Sequence, residues 1–152
     1  MEIKELDNGY ILNIYEDHEE DFWSVMGKYF AFRDWAHEMG GWQFYSKPGS
    51  KWFVLLRKTN TGNGNTVAGF CSIINERTHN YFDNFYVMPE YRGAGLSRIL
   101  WDERWAKANS LEREIRVISD NPIQIRRYES YGMEFYGMRG RYRKYRKTFK
   151  QH

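Results

Sequence analysis

The chain has one cysteine among its 152 residues. Cys71 therefore has no partner for an intramolecular disulfide. It lies in the apolar run Val67-Ala68-Gly69-Phe70-Cys71-Ser72-Ile73-Ile74, where a buried small thiol is the expected reading and a nucleophile the alternative. Histidine is scarce too: His18, His37, His79 and His152 have no partner visible in the sequence and read as surface or satisfied core residues. No Cys/His cluster has metal-ligand spacing, so no metal is expected. There is no run of eighteen apolar residues to span a bilayer and no basic start followed by an apolar core and a small-residue cleavage site, so the sequence predicts a cytoplasmic protein. Internal repeats and long linkers are also missing. What is present is large side chains: the chain is 41% hydrophobic and 18% aromatic, enough for a core in one domain spanning 1–152.

Charge is distributed unevenly around a net +3. Residues 16–21 (EDHEED) form an acidic block ahead of the first expected helix, and residues 139–150 (RGRYRKYRKTFK) form a basic block at the end. The acidic block reads as a solvated helix start or as an attractant for a cationic acceptor. The basic block reads as a terminal strand with one solvated face or as a nucleic-acid surface. The sequence leaves both pairs open.

Expected elements follow from the apolar patterning. Residues 19–39 carry aromatic and apolar residues at helical spacing and end at Gly40-Gly41, giving one or two helices. Strands are expected over 52–57 and 67–74, joined by the Asn-Gly-rich loop 59–66, with a third strand over 81–88. A helix over 97–108, a strand over 114–119, a helix starting at Asn121-Pro122 and ending at Gly132, and a strand pair around Arg139-Gly140 complete the chain. The fold class is α+β, with one right-handed strand–helix–strand crossover. Strict alternation in the third strand puts Tyr81, Asp83, Phe85 and Val87 on one face and Phe82, Asn84 and Tyr86 on the other.

The crossover begins with PEYRGAGLS, residues 89–97, a glycine-rich turn between a strand and a helix, where backbone N–H groups can be aimed at a phosphate. It is not a Walker A loop, because no Lys-Ser or Lys-Thr follows Gly95. It is not a dinucleotide fingerprint either: Arg98 stands where the third glycine belongs. Val87-x-Pro89-Glu90-Tyr91-Arg92-Gly93-x-Gly95-Leu96-Ser97 does resemble the acyl-CoA-binding motif of the GNAT superfamily of N-acyltransferases, with Ser97 departing at the last position. A second segment supports it: Asn121-Pro122-x-Gln124-x-x-Arg127-Tyr128-Glu129-x-x-Gly132-Met133 is similar to that family's Asn-x-x-Ala-x-x-Leu-Tyr-Glu-x-x-Gly-Phe box, departing at Gln124, Arg127 and Met133. The two come in the family's order, and the resemblance covers residues 52–149, with the N-terminal third matching only as helices.

The resemblance implies a GNAT fold, a mixed and largely antiparallel sheet, and acetyl-CoA as cosubstrate. It implies that Val87, Arg92, Gly93, Ala94, Gly95, Leu96, Ser97 and Asn121 form the cofactor-binding set, the backbone of 93–97 holding the pyrophosphate and Ser97 able to cap the helix or offer its hydroxyl. It further implies that the pantetheine arm lies along the strand before the loop, where that strand splays from the strand over 114–119. Tyr128 would protonate the departing thiolate. Residues 82–93 are similar to the spermidine/spermine acetyltransferases of the superfamily, in which the position of Asp83 contacts or deprotonates the amine; Asn84 stands where they carry a second carboxylate. The expected activity is acetylation of a primary amine of a small molecule or protein, with a homodimer left open. The alternative is a non-catalytic module of the same fold that uses the basic C-terminal strand to bind nucleic acid or a protein.

Overall fold

The computed structural model describes residues 1–31, 44–59 and 65–150. Eight strands form one sheet: β1 (Glu2–Glu5), β2 (Tyr10–Glu16), β3 (Lys51–Arg57), β4 (Thr66–Asn75), β5 (Asn80–Val87), β6 (Ile115–Ser119), β7 (Glu134–Arg139) and β8 (Tyr142–Lys147). Their order across the sheet is β1-β2-β3-β4-β5-β6-β8-β7. Every neighbouring pair is antiparallel except β5 with β6, which are parallel and joined through α2 (Leu96–Ser110). Two further helices are described, α1 (Glu20–Ala31) and α3 (Pro122–Ser130). The architecture is the expected α+β fold with its single crossover.

The expectation of helices alone in the N-terminal third is corrected by β1 and β2. They form a hairpin across Asp7-Asn8-Gly9, in which Gly9 takes φ +83° and the Asn8 side chain accepts from the Tyr10 N–H at 3.3 Å. β2 then pairs along the whole of β3, from Tyr10 opposite Arg57 to Glu16 opposite Lys51. Its residues are buried on both faces over 12–15, so the strand has no period-two pattern to betray it. The remaining elements fall within two residues of their expected bounds. The second half of the expected helical region, 32–39, and the centre of the 59–66 loop lie outside the described residues.

Each sheet face carries its own core. On one, Phe22, Met26 and Tyr29 of α1, spaced at four and three residues, meet Trp52, Phe70 and Tyr86. On the other, Leu96, Leu100 and Ala108 of α2 and Tyr128 of α3 meet Phe53, Leu55, Cys71 and Phe82. Cys71 is fully buried and its thiol is pushed up to about 11 by burial, as a core thiol should be.

The expected alternation along β5 fails in the middle of the strand. Ser72 pairs with Asp83 and Phe70 with Tyr86, so β5 has one more residue than β4 over this stretch. The extra residue makes a β-bulge, and Asn84 takes φ +54°. The shift puts Phe82, Phe85 and Val87 on the same face, against α2, while Tyr86 and Met88 point to the other core.

At the C-terminal end, Gly140 takes φ +59° in the β7–β8 turn. The cations of β8 find partners inside the fold. Arg143 lies 4.2 Å over the Phe135 ring, Lys144 4.6 Å over Tyr136, Arg146 pairs with Glu134 at 3.2 Å, and Lys147 lies 5.0 Å over Trp105. Each of the four basic residues of β8 thus contacts a ring or a carboxylate of the fold, and none of its six residues is fully exposed. In the acidic block, the Glu19 carboxylate accepts from the Glu16 N–H at 3.0 Å, Asp17 accepts from the Gly49 N–H at 3.0 Å, and Glu16 pairs with Lys51.

Candidate active site

β5 and β6 start as neighbours and then part. Their ladder consists of Asn80 opposite Ile115 and Tyr81 opposite Arg116 and goes no further. Beyond Tyr81 the edge of β5 that faces β6 therefore has no strand to bond, and its N–H and C=O groups need another partner. The gap is a cavity of about 320 Å³. Its walls are Asp83, Asn84 and Phe85 of β5 and Val117 to Ser119 of β6, with Gln124 and Tyr128 from α3 and Arg104 from α2. Arg141 and Asp120, paired at 3.0 Å, stand at its rim.

The glycine turn lies at the carboxyl end of β5. A 3-10 turn over Pro89–Tyr91 leads into it, and the Arg92 Nε–H donates back to the Val87 carbonyl at 2.9 Å, with the guanidinium 5.4 Å over the Tyr86 ring. Arg92 thus ties the turn to the strand. Gly93 and Gly95 take φ +87° and +78°, and a Cβ built on either meets nothing within 4 Å. Both need glycine for backbone conformation, and both face open space rather than a packed neighbour. Gly95 is the N-cap of α2 and no side chain caps it, so the first N–H groups of the helix are left to an outside acceptor. Ser97 sits inside the first turn, since Gly95 is the N-cap; of the two options open to it, capping the helix falls away and offering its hydroxyl stays. Leu96 anchors the turn in the core, and Val87, also buried, offers the loop only backbone. Ala94 is exposed between the glycines.

Asn121 is committed to α3. Its Oδ1 accepts from the Ile123 N–H at 2.9 Å and the Gln124 N–H at 3.3 Å. Gln124, where the similar box has alanine, accepts from the Ser119 hydroxyl at 2.8 Å across the cavity wall. Gly132, at φ +81°, closes the helix as expected.

Tyr128 and Asp83 meet at this cavity from opposite walls. Tyr128 is 2% exposed and is both a core residue and a wall residue. Burial raises its pKa, and the nearby Arg104 guanidinium pulls the other way. Burial also raises Asp83 above the usual carboxylate range, opposed by the Asn84 N–H, which donates to Asp83 Oδ1 at 2.7 Å, and by Tyr45. A carboxyl group biased toward its neutral form and a buried phenol thus line the same cavity.

Two neighbours of the candidate residues escaped the sequence reading. One is Tyr45, which bonds the Asn84 side chain through its own N–H and carbonyl and whose phenol is raised by burial and by the charges of Asp83 and Glu76. The other is Arg104, 1% exposed, on the same α2 stripe as Leu96, Leu100 and Ala108. A charge recurring at the four-residue spacing of an apolar stripe was the signal available for it. Among the described residues no group of three or more His, Cys, Asp or Glu is placed to hold a metal, and no helix is long and apolar enough to cross a membrane.

A profile of the acetyltransferase (GNAT) family matches residues 10–133, most of the chain. The chain belongs to the GNAT family. It is an acyltransferase by that membership, and the match takes in both the glycine turn and Tyr128. Solved GNAT structures share the fold at low identity. An acyl-CoA N-acyltransferase from Pseudomonas aeruginosa superposes with a TM-score of 0.68 at 10% identity, covering 91% of this chain and 99% of its own. The PaiA N-acetyltransferase of Thermoplasma acidophilum, solved with coenzyme A, gives 0.58 at 12% identity over 91% and 99%. A putative streptothricin acetyltransferase from Bacillus anthracis, solved with acetyl coenzyme A, gives 0.50 at 16% identity over 70% and 66%. No curated protein matches this GNAT chain in sequence.

Proposed function

We propose that this chain is a single-domain, cytoplasmic N-acetyltransferase that moves an acetyl group from acetyl-CoA to a primary amine of a small molecule or protein. The observation that carries the reading is that one strand, β5, both parts from β6 at the cavity and ends at the glycine turn, where two open, left-handed glycines precede the uncapped N-terminus of α2. An anionic head on an amide-bearing arm fits that arrangement, and two structurally similar proteins were solved with coenzyme A or acetyl coenzyme A. The backbone N–H groups of 93–97 would hold the pyrophosphate, Arg92 fixing the turn, and the free edge of β5 would bond the pantetheine amides.

The chain's own residues then divide the proton work. An alkylammonium has a pKa near ~10.4 and must lose a proton before it attacks. Asp83, lifted by burial, is the carboxylate in the cavity wall that can take that proton, directly or through water. Tyr128 gives its phenolic proton to the sulfur as the carbon–sulfur bond breaks. A free-thiol assay with acetyl-CoA against amines, polyamines, aminoglycosides and peptide N-termini tests the reading. Thiol release that depends on one of these acceptors is the expected result; no release with any of them, together with no thermal shift by acetyl-CoA, refutes it. The non-catalytic alternative has no specific observation in its favour, since the β8 cations are engaged within the fold.

A further inference from the structure

Few polar side chains are buried in the described chain, and three of them, Ser72, Asn84 and Arg104, meet at the β5 bulge. The Asp83 carbonyl accepts from the Ser72 hydroxyl at 3.1 Å and from Arg104 Nη1 at 3.3 Å. Nη1 also reaches the Ser72 carbonyl on the neighbouring strand at 3.4 Å. Asn84 Nδ2 donates to the Ser72 hydroxyl oxygen at 2.7 Å. A chain of bonds therefore runs from α2 through both strands to the residue with the left-handed backbone. Arg104 comes to it from the α2 face, its guanidinium 4.2 Å from the centre of the Phe82 ring and 5.5 Å from that of Phe85. Asn84 ties it to Tyr45, whose neighbour Phe44 belongs to the core on the other face. Burying a cation and two polar side chains costs more than burying apolar ones. A register shift does not call for them: the sheet's other shifts, between Leu55 and Leu56 and between Phe135 and Gly137, lie at apolar residues and glycine. What sets the β5 bulge apart is Asp83, in the cavity wall, whose Oδ1 accepts from the Asn84 N–H at 2.7 Å.

We propose that Arg104, Ser72 and Asn84 are positioning residues for Asp83: they clamp the bulge from both faces of the sheet and so hold the Asp83 carboxyl at the cavity wall, where an incoming amine gives up its proton. The inference rests on the reading of Asp83 as the proton acceptor. Both ends of the residue are fixed by the clamp. Its carbonyl is held by Ser72 and Arg104, and its carboxyl by the N–H of Asn84, which the Asn84 side chain anchors in turn. In the step that the clamp serves, an N–H bond of the ammonium breaks and its electron pair stays on nitrogen for attack on the acetyl carbon. The proton bonds to an Asp83 carboxylate oxygen, directly or through water, and passes later to solvent. The three clamp residues exchange no proton in this step; they set where the carboxylate stands when it occurs.

A double-mutant cycle tests the clamp, in the free-thiol assay with an amine that the acceptor panel identifies. Arg104→Met puts an apolar chain of similar length among the rings and removes the donor. Replacing a buried charge by an apolar side chain is often neutral for stability, so Tm should stay within about 4 °C of wild type. The thermal shift by acetyl-CoA should be unchanged, while kcat/KM for the amine falls ~10-fold. Asn84→Gly, which suits the backbone at φ +54° and keeps the N–H, should lower kcat/KM by a similar factor. In an Asp83→Asn background neither change should cost more than ~2-fold further, because the carboxylate that they serve is gone. Arg104→Lys keeps a cationic donor without the fork; it should lose less than Arg104→Met, and it carries the cycle should the apolar variant fail to fold. Losses that persist at full size in the Asp83→Asn background overturn the clamp, as does wild-type kcat/KM in both Arg104→Met and Asn84→Gly. An Asp83→Asn variant as active as wild type, or thiol release with no amine of the panel, overturns the reading of Asp83 instead, so the two failures are told apart.

Discussion

Replacing Gly95 by glutamate separates the fold from the cosubstrate, because the structure assigns the two effects different sizes. A Cβ at Gly95 meets no protein atom within 4 Å, so no packing is lost. The cost to the fold is the left-handed backbone at φ +78°, about 1–2 kcal/mol for a residue with a side chain. For a chain of this length that lowers Tm by about 2–8 °C. The cost to the ligand is larger. The new side chain enters the open space in front of the α2 N-terminus, and its carboxylate meets the place where a pyrophosphate would sit, so clash and like charge act together. Wild-type protein with acetyl-CoA at about 100 times its Kd should gain about 2.7 kcal/mol, or roughly 5–11 °C. Gly95→Glu should gain nothing. Melts of both proteins, with and without acetyl-CoA, check this, and Gly95→Ala serves as a control that carries the backbone strain without the charge. A folded Gly95→Glu variant with an undiminished shift would refute the placement of the pyrophosphate at this turn.

Tyr128→Phe keeps the ring in the core and removes the proton, so kcat should fall ~10²-fold while acetyl-CoA affinity at pH 7 hardly changes; unchanged kcat with a loss of about 1 kcal/mol of stability would show a hydroxyl that only serves the fold. Asp83→Asn should likewise lower kcat at neutral pH. Its effect on stability has the opposite sign: the folded-state pKa of Asp83 is raised, so the native protein holds this proton more tightly than the unfolded chain, and the stability it lends is present at low pH and lost as pH rises through the folded-state pKa. The Asn variant should therefore melt higher than wild type at pH 7, and the gap should close below about pH 4, the unfolded value; a gap that widens on acidification would contradict the sign. Cys71, fully buried with its thiol pushed up to about 11, should resist alkylation at pH 8 in native protein and react after denaturation, with activity untouched by the reagent until then.

The strands that could be read in the sequence are those whose neighbours in the chain are also their neighbours in the sheet. β3, β4 and β5 follow one another across the sheet, and turn residues separate them. The β1–β2 hairpin carried a turn signal of the same kind in Asp7-Asn8-Gly9, but β2 is buried on both faces and β1 is four residues long and exposed along its length, so neither shows a period. The glycine turn and the Asn121-Pro122 helix start were legible because local backbone geometry fixes them. Arg104 was not, because its place depends on a cavity formed with residues far from it in the chain on both sides, Asp83 before it and Tyr128 after it.

The bulge in β5 is the least legible feature, and it lies in the wall of the cavity. It exists only in the register between two strands, Ser72 with Asp83 and Phe70 with Tyr86, and no pattern within β5 announces it. Once formed, it puts Asn84 in the left-handed region, which asparagine tolerates better than most residues. The Asn84 carboxamide then makes three bonds that only an amide can make together: Nδ2 donates to the Tyr45 carbonyl at 2.9 Å and to Ser72 Oγ at 2.7 Å, while Oδ1 accepts from the Tyr45 N–H at 3.1 Å. A carboxylate at this position would face the Tyr45 carbonyl without a proton to offer it. The departure from the two-carboxylate pattern of the polyamine enzymes is thus built into the bulge, because the residue that would carry the second charge is the one that locks the strand to residues 44–46. Asp83 is then the one carboxylate that β5 brings to the cavity.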